Sequence, residues 1–463
     1  MTKPSEIITR TRWSRRKFLQ TAALVTGGAS LGFPSLVQGG GTSKKINVAH
    51  IGFGAMGRGR LTEMRNCAAN IVALCDVDEN QFPAARKIVE NSAFQPREYV
   101  DFREMLEKEK NLDAVVITTP DHWHAPIIMA ALAAGKHVFC EKPLTHTIAE
   151  ARAVRELVKK YPNQVTQMGN QGSASPNLRR GIEIIQSGAL GQIHEVHCWL
   201  PGGGVHPGLA VPTVGDPIPK GLHWDGWLGV APTRPFKKGY YHPGNWRGWY
   251  DFGSGIMGDW GCHALNLPFR ALKLDYARRI SAEGEMMGLP TYSGNNHIHF
   301  EFDRRGLLDP LTVHWYDVGA KPAAGVIPAE LLALLGELPV TGVLIFGENG
   351  WIFGEGHSSS DYIRLKGDKK ISGIQKHEAL RNIPESLPRV HNHVAEWVDA
   401  CAGGPPTFSN FEIGGHLTEI ALSGVVALRM QKSLDWNGEK MLAENAPEAA
   451  KFIQKNYRSG WTI

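Results

Sequence analysis

The 463-residue chain carries 50 Lys and Arg against 45 Asp and Glu, and six of the basic groups sit with only Glu6 in residues 1–43. Beyond that segment the charges balance at 44 of each sign, which excludes the concentrated basic surface that a nucleic-acid partner requires. The remaining length of about 420 residues exceeds one ordinary core and points to two domains, and the six cysteines, with no Cys-x-x-Cys pair, read as mostly buried free thiols rather than a disulfide scaffold.

At the N-terminus, Ser14-Arg15-Arg16-Lys17-Phe18-Leu19 opens a weakly apolar run from Thr21 to Val37. Gly27, Gly28, Gly32 and Pro34 interrupt that run, so it is too short and too broken to span a bilayer. The order of paired arginines, Phe-Leu and apolar run predicts a twin-arginine export signal, cleaved between Val37 and Ser43. The expectation is therefore a periplasmic or otherwise extracytoplasmic protein, exported already folded, with the twin-arginine machinery as a partner.

From residue 44 to 167, short β-branched runs alternate with helical stretches. INVAHIGFG, NIVALCDV, DAVVITTP and HVFCEKP read as strands, separated by segments such as Arg58 to Ala69 and Ile127 to Ala134. Strands alternating with helices predict βαβ units and a parallel Rossmann sheet. Gly52-Phe53-Gly54-Ala55-Met56-Gly57 follows the first strand and opens a helix, the setting in which G-x-G-x-x-G binds a dinucleotide. The helix N-terminus then offers free N–H groups to the phosphates. Asp76, at the end of the second strand, accepts hydrogen bonds from ribose hydroxyls and repels a 2′-phosphate, so NAD is preferred; Arg58 and Arg60 as phosphate contacts leave NADP possible.

Three further segments carry polar residues where the strands of such a sheet end. Thr118-Thr119-Pro120-Asp121-His122-Trp123-His124 follows DAVVI, with Thr119, Pro120 and His124 expected to line the site. Glu141-Lys142-Pro143 follows HVFC, the proline favouring an extended Lys142. Asn170, past the last strand, is also expected beside the cofactor. Asp259-Trp260-Gly261-Cys262-His263 places a carboxylate and an imidazole four apart on one helical face.

Residues 168–431 follow a different grammar, with 432–463 expected as a C-terminal extension. A helix from Asn177 to Ser187 precedes IHEVHCWL, a Gly/Pro/Trp-rich stretch runs to Phe252, and a helix is predicted from Ser254 to Leu274. Strand-like runs follow at Ala277–Met287, His297–Phe302, Leu311–Val318, Val343–Phe353 and Tyr362–Leu365, grouped without helices and joined by turns such as Glu348-Asn349-Gly350. They predict a mainly antiparallel open sheet, with later helices at Arg389–Cys401 and Glu412–Gln431. Six of the 13 tryptophans lie between Trp199 and Trp260. Tryptophan faces stack on sugar C–H faces, and with Arg247 and Tyr250 interleaved, Trp246 and Trp249 are expected to line a carbohydrate cleft; the other use of this composition is an aromatic core. His391 and His393, two apart on a predicted helix, point apart, and no metal is expected.

GFGAMG, TTPDHWHA, EKPLTHTIAEA, Gly191-Gln192-Ile193 and GIMGDWGCH occur in the order seen in the Gfo/Idh/MocA oxidoreductases, and from Lys45 to Gln431 the chain resembles that family. The resemblance implies a dinucleotide domain followed by an α/β domain with an open antiparallel sheet, commonly used for homo-oligomerisation. It further implies that Lys142 hydrogen-bonds the reacting hydroxyl, that His263 is the general base and that Asp259 orients substrate or the histidine. The expected activity is oxidation of a secondary hydroxyl of a pyranose sugar or glycoside with tightly bound NAD recycled in place. The alternatives are a glycosidase that borrows the hydride and a non-catalytic sugar-binding protein.

Overall fold

The computed structural model describes residues 45–461 apart from 93, 204, 286–289, 358 and 359; the segment read above as an export signal lies outside the described residues. Six parallel strands form the first sheet: β1 (Ile46–Ile51), β2 (Ala69–Cys75), β3 (Arg97–Tyr99), β4 (Ala114–Ile117), β5 (His137–Cys140) and β6 (Thr166–Met168), in the order β3-β2-β1-β4-β5-β6. The sequence pattern missed β3 and β6, because Arg-Glu-Tyr and Thr-Gln-Met are three-residue strands without an apolar run. All four residues of β4 are buried, as a sheet covered on both faces requires. Helix α1 (Ala55–Arg65) leaves the end of β1, and α2 (Ile148–Lys160) begins on a capping box in which Thr147 and Glu150 satisfy each other's backbone N–H groups.

The second sheet has ten strands: β7 (Ile193–Leu200), β8 (Arg279–Glu285), β9 (Gly294–Phe302), β10 (Leu311–Asp317), β11 (Gly342–Gly347), β12 (Gly350–Gly354), β13 (Tyr362–Leu365), β14 (Ser372–Gly373), β15 (Leu434–Asn437) and β16 (Leu442–Ala443). Every pairing is antiparallel except β7 with β10. The apolar run at 343–353 forms the hairpin of β11 and β12, turning at Glu348-Asn349 where the sequence places a turn. The helix expected from Ser254 to Leu274 is two, α3 (Gly255–Ala264) and α4 (Asn266–Ala271). Pro268 falls in the first turn of α4, where its missing N–H is tolerated; inside one continuous helix it would break the ladder.

Helix α5 (Ala329–Leu335) packs with Trp199, Tyr316, Leu344 and Trp351 on the outer face of this sheet. The inner face, carrying Val196, Cys198, Ile298, Phe300, Val313 and Trp315, joins the main core with α3 and the long helix α7 (Phe411–Met430), which follows α6 (His393–Cys401). A Cβ at Gly424 of α7 would stand 2.7 Å from the Phe300 ring, so the glycine sets how closely helix and sheet approach.

Two boundaries differ from the sequence reading. Residues 432–463 are not an appendage, since β15 pairs with β8 and extends the second sheet. Nor does the first domain close at residue 167: Val394, Trp397 and Val398 of α6 return to complete the core formed by Ile46, Val48, Leu74 and Val116.

Candidate active site

The strand order of the first sheet reverses at β1 and β4, and a cavity of about 480 Å³ opens beyond their carboxyl ends. Its first wall is the glycine loop. Gly52 has φ +91°, and a Cβ there would lie 2.8 Å from the Thr118 carbonyl oxygen; a Cβ on Gly57 would lie 2.3 Å from the Gly52 carbonyl oxygen. Gly54 has nothing within 4 Å of its missing side chain, so a ligand can reach the backbone there. The N–H of Phe53 donates to Asp76 Oδ2 (2.7 Å) and that of Asp78 to Asp76 Oδ1 (2.9 Å), tying the end of β2 to the loop. Burial pushes the Asp76 carboxyl up to about 6. Ala55, Met56, Thr119 and Pro120 line the same wall.

This wall fits a dinucleotide. Thr119 Oγ1, Gln171 Oε1 and His263 Nδ1 are buried polar atoms of cavity-lining residues with no partner among the described residues, a condition that calls for a polar occupant. The two arginines expected to keep NADP possible are engaged elsewhere. Arg58 donates to the Phe53 carbonyl (2.9 Å) and Gln81 (3.2 Å), while Arg60 donates through Nε and Nη2 to Glu141 Oε1 at 2.9 and 2.7 Å.

The opposite wall carries charge. Lys142, at the end of β5, contacts Asp259 Oδ1, and Arg247 Nε lies 3.0 Å from Asp259 Oδ2. Burial alone would raise the Asp259 carboxyl, but the Lys142 and Arg247 cations hold it below its ordinary range. His263 stands one turn along α3 from Asp259. Burial and then the Lys142 charge push its imidazole well below the usual value, so it is neutral at neutral pH. Its ring lies edge-on to His357 (centroids 4.5 Å apart) and 5.4 Å from Trp260.

Several expected site residues lie elsewhere. His124 is a brace: Nδ1 bonds to the Pro143 carbonyl (2.8 Å) and Nε2 to that of Thr119 (2.9 Å), so it fixes the loop without facing the cavity. Glu141 is turned to Arg60 and Asn170 to the Cys262 carbonyl, Ser173 and Ser409. Trp249 and Tyr250 are core residues. Trp249 donates to the Tyr240 carbonyl (2.8 Å) and packs with Tyr241, whereas Tyr250 stacks on Tyr292 (3.8 Å) under Arg429. Of the tryptophan-rich stretch, Trp246, Trp227 and Trp260 reach the cavity wall; Trp224 and Trp227 stack at 4.7 Å and, with Tyr241, Trp249 and Phe252, form a core of their own. An irregular segment with no strand ladder needs such aromatic packing to stay ordered.

Other wall residues escaped the sequence reading. Gln171 follows β6, and His357 follows β12. His242 pairs with Asp78 at 2.9 Å, and Trp461 packs edge-on to Trp123 with centroids 5.3 Å apart. None of the four carries a local motif in the sequence.

A doubly wound sheet with a glycine loop at its switch point, facing charged residues from a second α/β domain, defines a two-domain dinucleotide-binding protein. Residues 46–168 match the oxidoreductase family, NAD-binding Rossmann fold, of the Gfo/Idh/MocA group, and 211–281 match the family's C-terminal α/β domain. The two matched segments correspond to the two domains of that one family, and inositol 2-dehydrogenases are among the proteins the chain is similar to. Inositol 2-dehydrogenase of Salmonella paratyphi B is 32% identical over 149 residues, which is 32% of this chain and 43% of that protein; the chain thus matches less than half the length of such relatives. Among solved structures, an inositol dehydrogenase homologue from Azotobacter vinelandii, complexed with NADH and myo-inositol, superposes with TM-score 0.58 at 19% identity, covering 85% of this chain and 98% of that one. Levoglucosan dehydrogenase in complex with NADH and levoglucosan gives 0.57 at 17%, covering 84% and 99%. At these identities the likeness is one of fold.

Proposed function

We propose that this protein is an NAD-dependent oxidoreductase acting on a secondary hydroxyl of a sugar or polyol, a pyranose ring in particular, to give a keto-sugar. One observation carries the reading: Lys142, Asp259 and Arg247 form a single charged contact, with His263 one helical turn on, in the cavity that also holds the glycine loop and Asp76. Bound NAD would be held by the N-terminus of α1, with Asp76 at its ribose, and supplies the hydride acceptor. The engagement of Arg58 and Arg60 and the Asp76 carboxylate favour NAD over NADP.

His263, kept neutral, is ready to take the hydroxyl proton. Lys142 places an ammonium where negative charge builds on the alcohol oxygen. Asp259 fixes that ammonium and the Arg247 guanidinium, which lies 4.5 Å over the Trp246 ring. Trp246 in turn offers an apolar face to a sugar ring. The inositol and levoglucosan complexes of the structural neighbours support a polyhydroxylated substrate.

The motif at Ser14–Leu19 supports export in the folded state through the twin-arginine machinery to an extracytoplasmic site. An enzyme there keeps its NAD tightly bound and regenerates it in place, with a second carbohydrate or another acceptor taking the hydride. Homo-oligomerisation belongs to the same proposal and is checked by light scattering.

The test is to heat-denature the purified protein, identify the released cofactor by mass spectrometry, and analyse products from a panel of sugars and nitrophenyl glycosides. Released NAD or NADH and a keto-sugar are expected. Absence of any dinucleotide, with none bound on addition, overturns the reading. Nitrophenol release without net cofactor reduction replaces it with the hydride-borrowing glycosidase.

A further inference from the structure

Far from the cavity, the outer face of the second sheet carries an unusual concentration of imidazole. His297 and His299 alternate on β9, so both project from the same face. β10 sets His314 directly opposite His299 on one side and, through its parallel pairing with β7, beside His197 on the other. The inner face of the same strands carries Val196, Cys198, Ile298, Phe300 and Val313, and Cys198 Sγ touches the Ala264 carbonyl at the end of α3. The histidines are therefore separated from Asp259 and His263 by the thickness of the sheet.

We propose that His297, His299 and His314 form a binding site for a divalent cation of the zinc type. The three side chains each present a ring nitrogen within 4.8 Å of the other two. His297 Nε2 and His314 Nδ1 are 3.3 Å apart, close to the tetrahedral edge of about 3.3–3.4 Å that zinc–nitrogen bonds of about 2.0–2.1 Å require. Three imidazoles are a donor set that zinc accepts, with its fourth position left open.

The surroundings are those of a supported site. His314 points Nε2 at Glu195 Oε1, 3.2 Å away, so that carboxylate can hold the Nε2–H tautomer and leave the Nδ1 lone pair free toward His297. His197 stacks on His314 with planes 5° apart and centroids at 4.6 Å, and Tyr316 stacks on His297 at 4.1 Å; these contacts lock both rings. The Tyr316 hydroxyl in turn lies 3.1 Å from His197 Nδ1.

The test uses the tag-free full chain, stripped with EDTA and titrated calorimetrically with ZnCl2. One Zn²⁺ per chain is expected, with affinity reduced about 100-fold in His299→Ala and in His314→Gln and about 10-fold in Glu195→Gln, and unchanged in His391→Ala. Co²⁺ added to the unmutated protein should give the visible bands of a tetrahedral nitrogen and oxygen site. Absence of saturable Zn²⁺ binding, an affinity in the His299 or His314 variant equal to that of the unmutated chain, or a cobalt–thiolate charge-transfer band each overturns the proposal. The cobalt spectrum decides even if a variant fails to fold, and zinc should raise the melting temperature of the unmutated chain through its preferential binding to the folded state.

Discussion

The two walls of the cavity are made of different materials. The cofactor wall is backbone: a left-handed Gly52, a close crossing at Gly57 and the N-terminus of α1, held by Asp76 from 23 residues away along the chain. The opposite wall is side-chain charge, with Lys142 and Asp259 117 residues apart and Arg247 arriving from an irregular segment. The first wall tolerates no side chain at Gly52 or Gly57. The second tolerates changes of shape but not the loss of a partner, because a buried ion pair with one member removed leaves an uncompensated charge that costs about 3–5 kcal/mol.

Substitutions should separate the walls, beginning with the largest effect. Gly57→Ala puts a methyl group 2.3 Å from the Gly52 carbonyl oxygen, and we expect it to abolish NAD binding measured by calorimetry. If binding survives, the backbone account of that wall is wrong. His263→Ala should lower turnover by about 10²–10⁴-fold while leaving NAD bound; full turnover with a keto-sugar product would remove its role as base. The paired tryptophans come next. Trp249→Ala should destabilise by about 3–5 kcal/mol in urea unfolding with unchanged KM for those molecules that fold, whereas Trp246→Ala should raise KM several-fold at nearly constant stability, a loss of roughly 1 kcal/mol. Equal effects at the two positions would contradict their separate placement.

The smallest effect is one of pH. Asp76 is raised to about 6, so it is protonated below that pH and ionised above it. Ribose hydrogen bonding and repulsion of a 2′-phosphate both need the carboxylate. Preference for NAD over NADP, from binding constants at each pH, should therefore grow a few-fold as pH rises through about 6 and flatten in Asp76→Asn.

Legibility in the sequence followed the same division. Gly52, Gly54, Gly57 and Asp76 are readable because strand, turn and helix are local events with fixed spacing. The parallel sheet followed from strands alternating with helices. The contact between Lys142 and Asp259 was not readable from either segment; only resemblance brought those residues together. Trp246 and Trp249 show where pattern fails: in a segment without helical or strand periodicity, three residues separate a cavity wall from an aromatic core. The histidine face is an intermediate case. The alternation of His297 and His299 is plain in the sequence, but His314 joins them only through the register of β10 on β9, so the cluster is not legible there as one group.

The return of α6 to the first sheet has a consequence for the order in which this molecule is made. Trp397 and Val398 complete a core whose other members, from Ile46 to Phe139, are synthesised more than 250 residues earlier. A nascent chain lacks the last side chains of this core until α6 has emerged from the ribosome, so the packing of the first domain is completed late in synthesis.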